Sequence, residues 1–208
     1  MRLSILLLAL VAGVTPRLAM AADWPVTDAG RAAARDALVR FEAALDATDS
    51  ASEALRRWCA DNRLADPAVI RAERVRDVEK PADAAVREAL GAAPGEPLRY
   101  RRVRLRCGER VLSEADNWYR PGKLTAAMND VLDATDRPFG VVVGPLGFHR
   151  RTLGVDWLFD PMRAALPGDG GGRKAPHAVL RHRAVLISAE GAPFSLVIET
   201  YTDEVLSR

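Results

Sequence analysis

The order of hydrophobic periods in this chain predicts an α+β fold, an antiparallel β-sheet with helices packed on it. Residues 27–58 repeat their apolar positions at helical spacing, and residues 98–119 change to a period of two. Near the C-terminus, apolar runs at 184–187 and 194–198 flank Glu190-Gly191, the spacing of a β-hairpin closed by a short glycine-containing loop.

The N-terminus carries Met1-Arg2, an apolar stretch over 3–14 and the small-x-small pattern Ala19-Met20-Ala21. Together these read as a secretory signal over residues 1–21, followed by a single domain over 22–208 that is periplasmic or secreted. The apolar stretch is shorter than the ~20 residues that span a bilayer, so no stable membrane insertion is expected after cleavage.

Thr27 or Asp28 caps a first helix with Leu38, Phe41, Ala44 and Leu45 inward. Ser50 and Glu53 form a capping box for a second, with Leu55 and Trp58 inward. A third helix is expected around 82–90, ended by Gly91. In the first hairpin Arg101, Val103, Leu105 and Cys107 share one strand face, and Arg102, Arg104 and Arg106 the other, with salt bridges to Glu109 and Glu114 expected. Residues 107–109 turn the chain, 111–119 return it, and a short helix follows with Leu124, Met128, Val131 and Leu132 inward. An apolar run over 138–145 leads to Phe148 and the segment HRRTL. The glycine run at 170–172 lacks the Lys-Ser/Thr and helix of a phosphate cradle, so it reads as a surface loop.

Composition narrows the function classes. The 30 basic and 28 acidic residues nearly cancel, which removes a global electrostatic case for nucleic acid. His149, His177 and His182 are too scattered for a metal site, and His182, between Arg181 and Arg183, reads as exposed. Ser113, Ser188 and Ser195 have no His-Asp companions in a serine-hydrolase pattern. Cys59 and Cys107 either bridge, as an oxidising compartment permits, or pack as core. Trp118-Tyr119 reads as core packing rather than a stacking platform.

Collinear segments TDSASEALRR (48–57), RYRRVRLRCGE (99–109), VLSEADNWYRP (111–121), DRPFGVVV (136–143) and VLRHRAVLISAEGAPFSLVIET (179–200) make the chain similar to the chorismate pyruvate-lyases. That fold is shared by effector-binding domains of certain transcription regulators. The resemblance implies a sheet of about six antiparallel strands and a ligand site enclosed beneath helical flaps. It implies that Glu199, on the last long strand, works at the oxygen on ring position four, and that an arginine of the first hairpin holds the ring carboxylate. Aligning on Cys107 selects Arg102 for that role, whereas strand parity selects Arg101; parity is preferred because Arg101 shares its face with the apolar Val103 and Leu105. Phe139 and Gly140 match a segment whose backbone N–H groups line the site.

The family reaction converts chorismate to 4-hydroxybenzoate and pyruvate with no metal or organic cofactor. Glu199 would move a proton at the ring-four oxygen, and Arg101 would neutralise a carboxylate through a bidentate fork. Two positions depart from the pattern. Asn117 stands where the family has an arginine, leaving Arg150, Arg151 or Arg181 to meet the second carboxylate, and Ala51 replaces a larger apolar residue on a flap. Export is a further difficulty, because chorismate is a cytosolic intermediate. The reading is therefore an exported lyase acting on chorismate or a close relative, with a non-catalytic binding protein for a small aromatic carboxylate as the alternative. A monomer is expected in either case. On the residues alone, the simpler role for Glu199 is a cross-strand pair with an arginine such as Arg183.

Overall fold

The computed structural model describes residues 23–24, 27–163 and 173–207. The signal segment expected at 1–21 and the glycine run at 170–172 lie outside them. The fold is α+β. In chain order the elements are β1 (Asp23–Trp24), α1 (Asp28–Asp46), α2 (Ala51–Asp61), β2 (Ile70–Val75), α3 (Ala84–Leu90), β3 (Arg99–Cys107), β4 (Arg110–Tyr119), α4 (Ala126–Ala134), α5 (Phe139–Val143), β5 (His149–Trp157), β6 (Arg173–Lys174), β7 (Ala178–Ile187) and β8 (Pro193–Thr202). Six strands form one sheet in the order β2-β3-β4-β8-β7-β5, every neighbouring pair antiparallel. The short β1 and β6 pair separately.

Local chemistry explains the helices. The Thr27 hydroxyl accepts the Gly30 N–H at 3.1 Å to start α1, which buries Ala34, Ala37, Leu38, Phe41 and Leu45 on one stripe. Ser50 accepts the Glu53 N–H at 3.4 Å to start α2. Its Trp58 indole reaches the Val205 carbonyl at 2.9 Å, so the polar atom of this large buried ring is satisfied. Asp83 caps α3, and Gly91 ends it in the left-handed conformation that only glycine adopts cheaply.

The sheet packs on both faces. Helices α1 and α2 cover its inner face through Phe41, Leu55, Val103, Leu105 and Tyr201, and α4 with α5 continue that cover through Leu132, Phe139 and Val143. On the outer face, α3 sets Val86 and Leu90 against Trp118, Val185 and Leu196. The rest of the outer face, over β2 to β4, is a ladder of ion pairs: Arg102 and Arg104 reach Glu114, Arg104 and Arg106 reach Glu73, and Arg106 reaches Glu109. Strand β2 has no apolar signature in sequence, because only Ala72 of its six residues is buried.

Cys59 at the end of α2 and Cys107 at the end of β3 are joined by a disulfide, with Cα atoms 6.4 Å apart. The bridge ties the helix that overhangs the inner face to the strand that carries Arg101. Denatured, unreduced protein should take up no alkylating label and reduced protein two, as counted by intact mass; two labels without reduction would mean free thiols.

Candidate functional site

Between the inner face of the sheet and the N-terminal ends of α2 and α5 lies a cavity holding about 510 Å³ of empty space, part of it open to solvent. Its walls are largely apolar, from Val103, Leu105, Ala115, Phe139, Phe148, Leu186 and Val197. Ser50, Ala51 and Ser52 close it from α2, and Gly140 closes it from α5. Gly140 is needed for this closure: a Cβ there would stand 2.9 Å from the Ser50 hydroxyl oxygen, closer than real side chains approach.

Arg101 projects into the cavity from β3 and is 3% exposed. Its Nη2 donates to the Arg137 carbonyl at 3.1 Å and the Thr135 carbonyl at 3.4 Å. Its Nε and Nη1 have no partner among the described residues. Burial, reinforced by the charge of Arg74, pulls this guanidinium down to about 10. A charged fork left half unbonded inside a protein is costly, and a carboxylate supplies the two acceptors it lacks.

Glu199 enters from β8 and is 5% exposed. Arg150 Nη2 donates to its Oε2 at 2.6 Å, and the Tyr201 hydroxyl donates to the same oxygen at 3.1 Å. Burial opposes the charge on Arg150, but Glu199, with Tyr201 and Asp46, offsets it, and the net direction for Arg150 is upward. The Asp49 carboxylate accepts the Arg150 backbone N–H at 2.7 Å, fixing β5 to the mouth of the cavity. Tyr201 is pushed well up by complete burial and by Glu199, so it remains a neutral donor.

Asn117, directly opposite Arg101 in the β3–β4 register, also lines the cavity. Its Oδ1 accepts the Ser195 hydroxyl at 2.6 Å, and its Nδ2 has no partner among the described residues.

Thus Arg101, Asn117, Phe139, Gly140 and Glu199 converge on one cavity, while Arg102, Arg151 and Arg181 stand outside it. Parity accounts for all three. Arg102 alternates with Arg101 to the outer face, where it meets Glu114 and Asp116. Arg151 alternates with Arg150 and is exposed, and the exposed Arg181 alternates with His182 and contacts Thr200. The partner of Glu199 is Arg150, two strands away, rather than Arg183, which registers against Ile198.

The expected exposure of His182 is corrected: it is 1% exposed, registers against Glu199, and sets its ring edge-on to Tyr201 at 5.7 Å. An Arg-His-Arg alternation on a buried strand already places the histidine opposite to the arginines. Burial, and then the nearby Arg150 charge, lower its pKa; Glu199, Asp46 and Glu42 act the other way more weakly. The unfolded chain therefore binds this proton more readily than the folded one, and stability falls as pH drops below the ordinary histidine range. Denaturant titration between pH 7 and 5 should show a shallower loss for His182→Leu than for the wild type. Equal slopes would mean His182 plays no part in the loss.

Among the described residues, no group of three or more His, Cys, Asp or Glu side chains is placed to hold a metal, and no helix is long and apolar enough to cross a membrane.

No family model matches the chain. Among solved structures, the chain is similar to the possible transcriptional regulator YydK from Bacillus subtilis (17% identity, TM-score 0.42, covering 65% of this chain and 59% of that one). It is also similar to PhnF from Mycobacterium smegmatis (14% identity, TM-score 0.47, covering 74% and 64%) and to the effector domain of PhnF (12%, TM-score 0.46, covering 68% and 87%). The chain thus spans less than two thirds of the YydK and PhnF chains. The uncharacterized protein y4mC of Sinorhizobium fredii is 44% identical over 192 residues, covering 88% of this chain and 81% of that protein. At that identity and coverage, this chain belongs to the same family as y4mC.

Proposed function

We propose that the cavity binds a small aromatic monocarboxylate, with Arg101 as its anchor. The observation that carries this reading is the pair of buried, unpartnered donors on Arg101, a residue that lines an apolar-walled cavity. Charge sets the ligand's valence. Of the buried cations on the lining, Arg150 is committed to Glu199, whereas Arg101 makes no ion pair with a described residue. A single carboxylate neutralises it, and the apolar walls suit a ring. The disulfide suits an oxidising compartment and supports export of the domain. N-terminal sequencing that found Met1 on the purified protein would oppose export.

Calorimetric titration with benzoate and 4-hydroxybenzoate tests the proposal. Saturable binding at one site is expected in the wild type, and its absence would oppose the reading.

The second reading is a lyase acting on chorismate, favoured by the position of Glu199 across the same cavity from Arg101. Chorismate carries two carboxylates, so the second requires Arg150 to leave Glu199, or must sit beside Asn117 without a cation. Incubation with chorismate decides between them: the binding reading expects no pyruvate. Sustained pyruvate release that is lost in Glu199→Gln would establish the lyase instead.

A further inference from the structure

Strand β5 is one edge of the six-stranded sheet, and among the described residues its backbone pairs only with β7. An open edge nine residues long is a template for a further strand. The opposite edge, β2, is six residues long and carries Arg71, Glu73 and Arg74, charges that blunt it. Four of the seven exposed large apolar residues among those described, Leu153, Val155, Leu158 and Met162, fall on β5 and the stretch after it, so this edge gains most from being covered.

The register of β5 identifies what covers it. Arg150 lines the cavity from the inner face of the sheet, and Thr152, two residues on, shares that face. The ladder with β7 then skips Leu153. Val155 falls opposite His182, whose partner on β8 is the cavity-lining Glu199, so Val155 is also on the inner face, and Arg151 and Asp156 are on the outer. A two-fold axis perpendicular to the sheet would set inner residues beside inner residues across a new strand pair. With a strict period of two, such an axis joins only residues of equal parity; the extra residue reverses this. An axis between Leu153 and Gly154 then sets Thr152 against Val155 and Arg151 against Asp156, each pair occurring twice. Both charged residues are exposed. We infer that β5 is a homodimer interface, in which a second copy of this chain pairs edge to edge in that antiparallel register and the two sheets become continuous. A bulge commonly keeps an edge unpaired, whereas here it makes the edge complementary to itself. The inference departs from the monomer expected from sequence.

Sedimentation equilibrium of the purified protein over a concentration series should give twice the mass of one chain. Arg151→Asp sets carboxylates face to face at both pairs and should raise the dimer dissociation constant about 10-fold or more. Within one copy Arg151 faces only Val185 on β7, so this substitution disturbs no charge pair of the sheet itself. Arg151→Lys keeps the charge and should stay within about 3-fold of wild type. Adding Asp156→Arg to Arg151→Asp restores the opposition of charges and should bring the constant back to within about 3-fold of wild type. If that double variant fails to fold, the contrast between aspartate and lysine at position 151 decides alone. A single-chain mass at every concentration would overturn the inference, as would a dimer indifferent to Arg151→Asp or one that the charge exchange fails to restore in a folded variant.

Discussion

Arg101→Met should make the ligand-free protein more stable while removing carboxylate binding. Two effects of opposite sign meet at this residue. In the folded state burial pulls the guanidinium down to about 10, well under its ordinary value, so the unfolded chain holds the proton more tightly. At every pH below about 10 both states are charged, and the full cost of burying that charge is present; it fades only as the pH rises through 10 toward the ordinary arginine value. A shift of this size corresponds to about 3 kcal/mol, from which the two carbonyl contacts of Nη2 recover part. Methionine fills similar volume without the charge, and a gain of about 1–3 kcal/mol in unfolding free energy is expected. Benzoate affinity should fall by about 2–4 kcal/mol because the anion loses its fork. A variant less stable than wild type, with binding intact, would mean that Arg101 is structural.

Glu199→Gln should do the reverse. Removing one member of a buried ion pair leaves Arg150 without its anion, at a cost of about 3–5 kcal/mol. The cavity then holds two uncompensated cations, and its preference should move from benzoate toward a dianion such as phthalate. A double variant, Arg150→Met with Glu199→Leu, removes both charges and should recover most of the lost stability, as denaturant midpoints would report. A loss in the double variant equal to the sum of the single losses would mean that the two side chains do not interact.

How far these features were legible in sequence depends on how local their causes are. Ser50 and Glu53 are three residues apart, and their capping box depends on little else, so the start of α2 could be read directly. The facing of Arg101 was legible because Val103 and Leu105 give β3 a clear period of two. The edge strands lacked that contrast. Strand β5 buries no residue fully, and its ladder with β7 shifts between Thr152 and Gly154, so neither an apolar pattern nor a fixed period distinguished Arg150 from Arg151. Strand β2 was missed for the same reason, its outer side chains being occupied with the Glu73 ion pairs. The pairing of Glu199 with Arg150 spans β7 and becomes visible only with the strand order, which no local pattern contains. The resemblance to the chorismate pyruvate-lyases singled out Glu199 and an arginine of the first hairpin, and strand parity chose Arg101 over Arg102, whereas the contact of Asn117 with Ser195 depends on the strand order.

Whether Arg101 holds a carboxylate is decided by a crystal structure of the full chain grown with benzoate. The two carboxylate oxygens are expected on Arg101 Nε and Nη1, with the ring against Phe139 and Val197 and the Arg150–Glu199 pair intact. A carboxylate bound to Arg150 in place of Glu199, or a cavity that admits no benzoate while Arg101 keeps its present contacts, would contradict it.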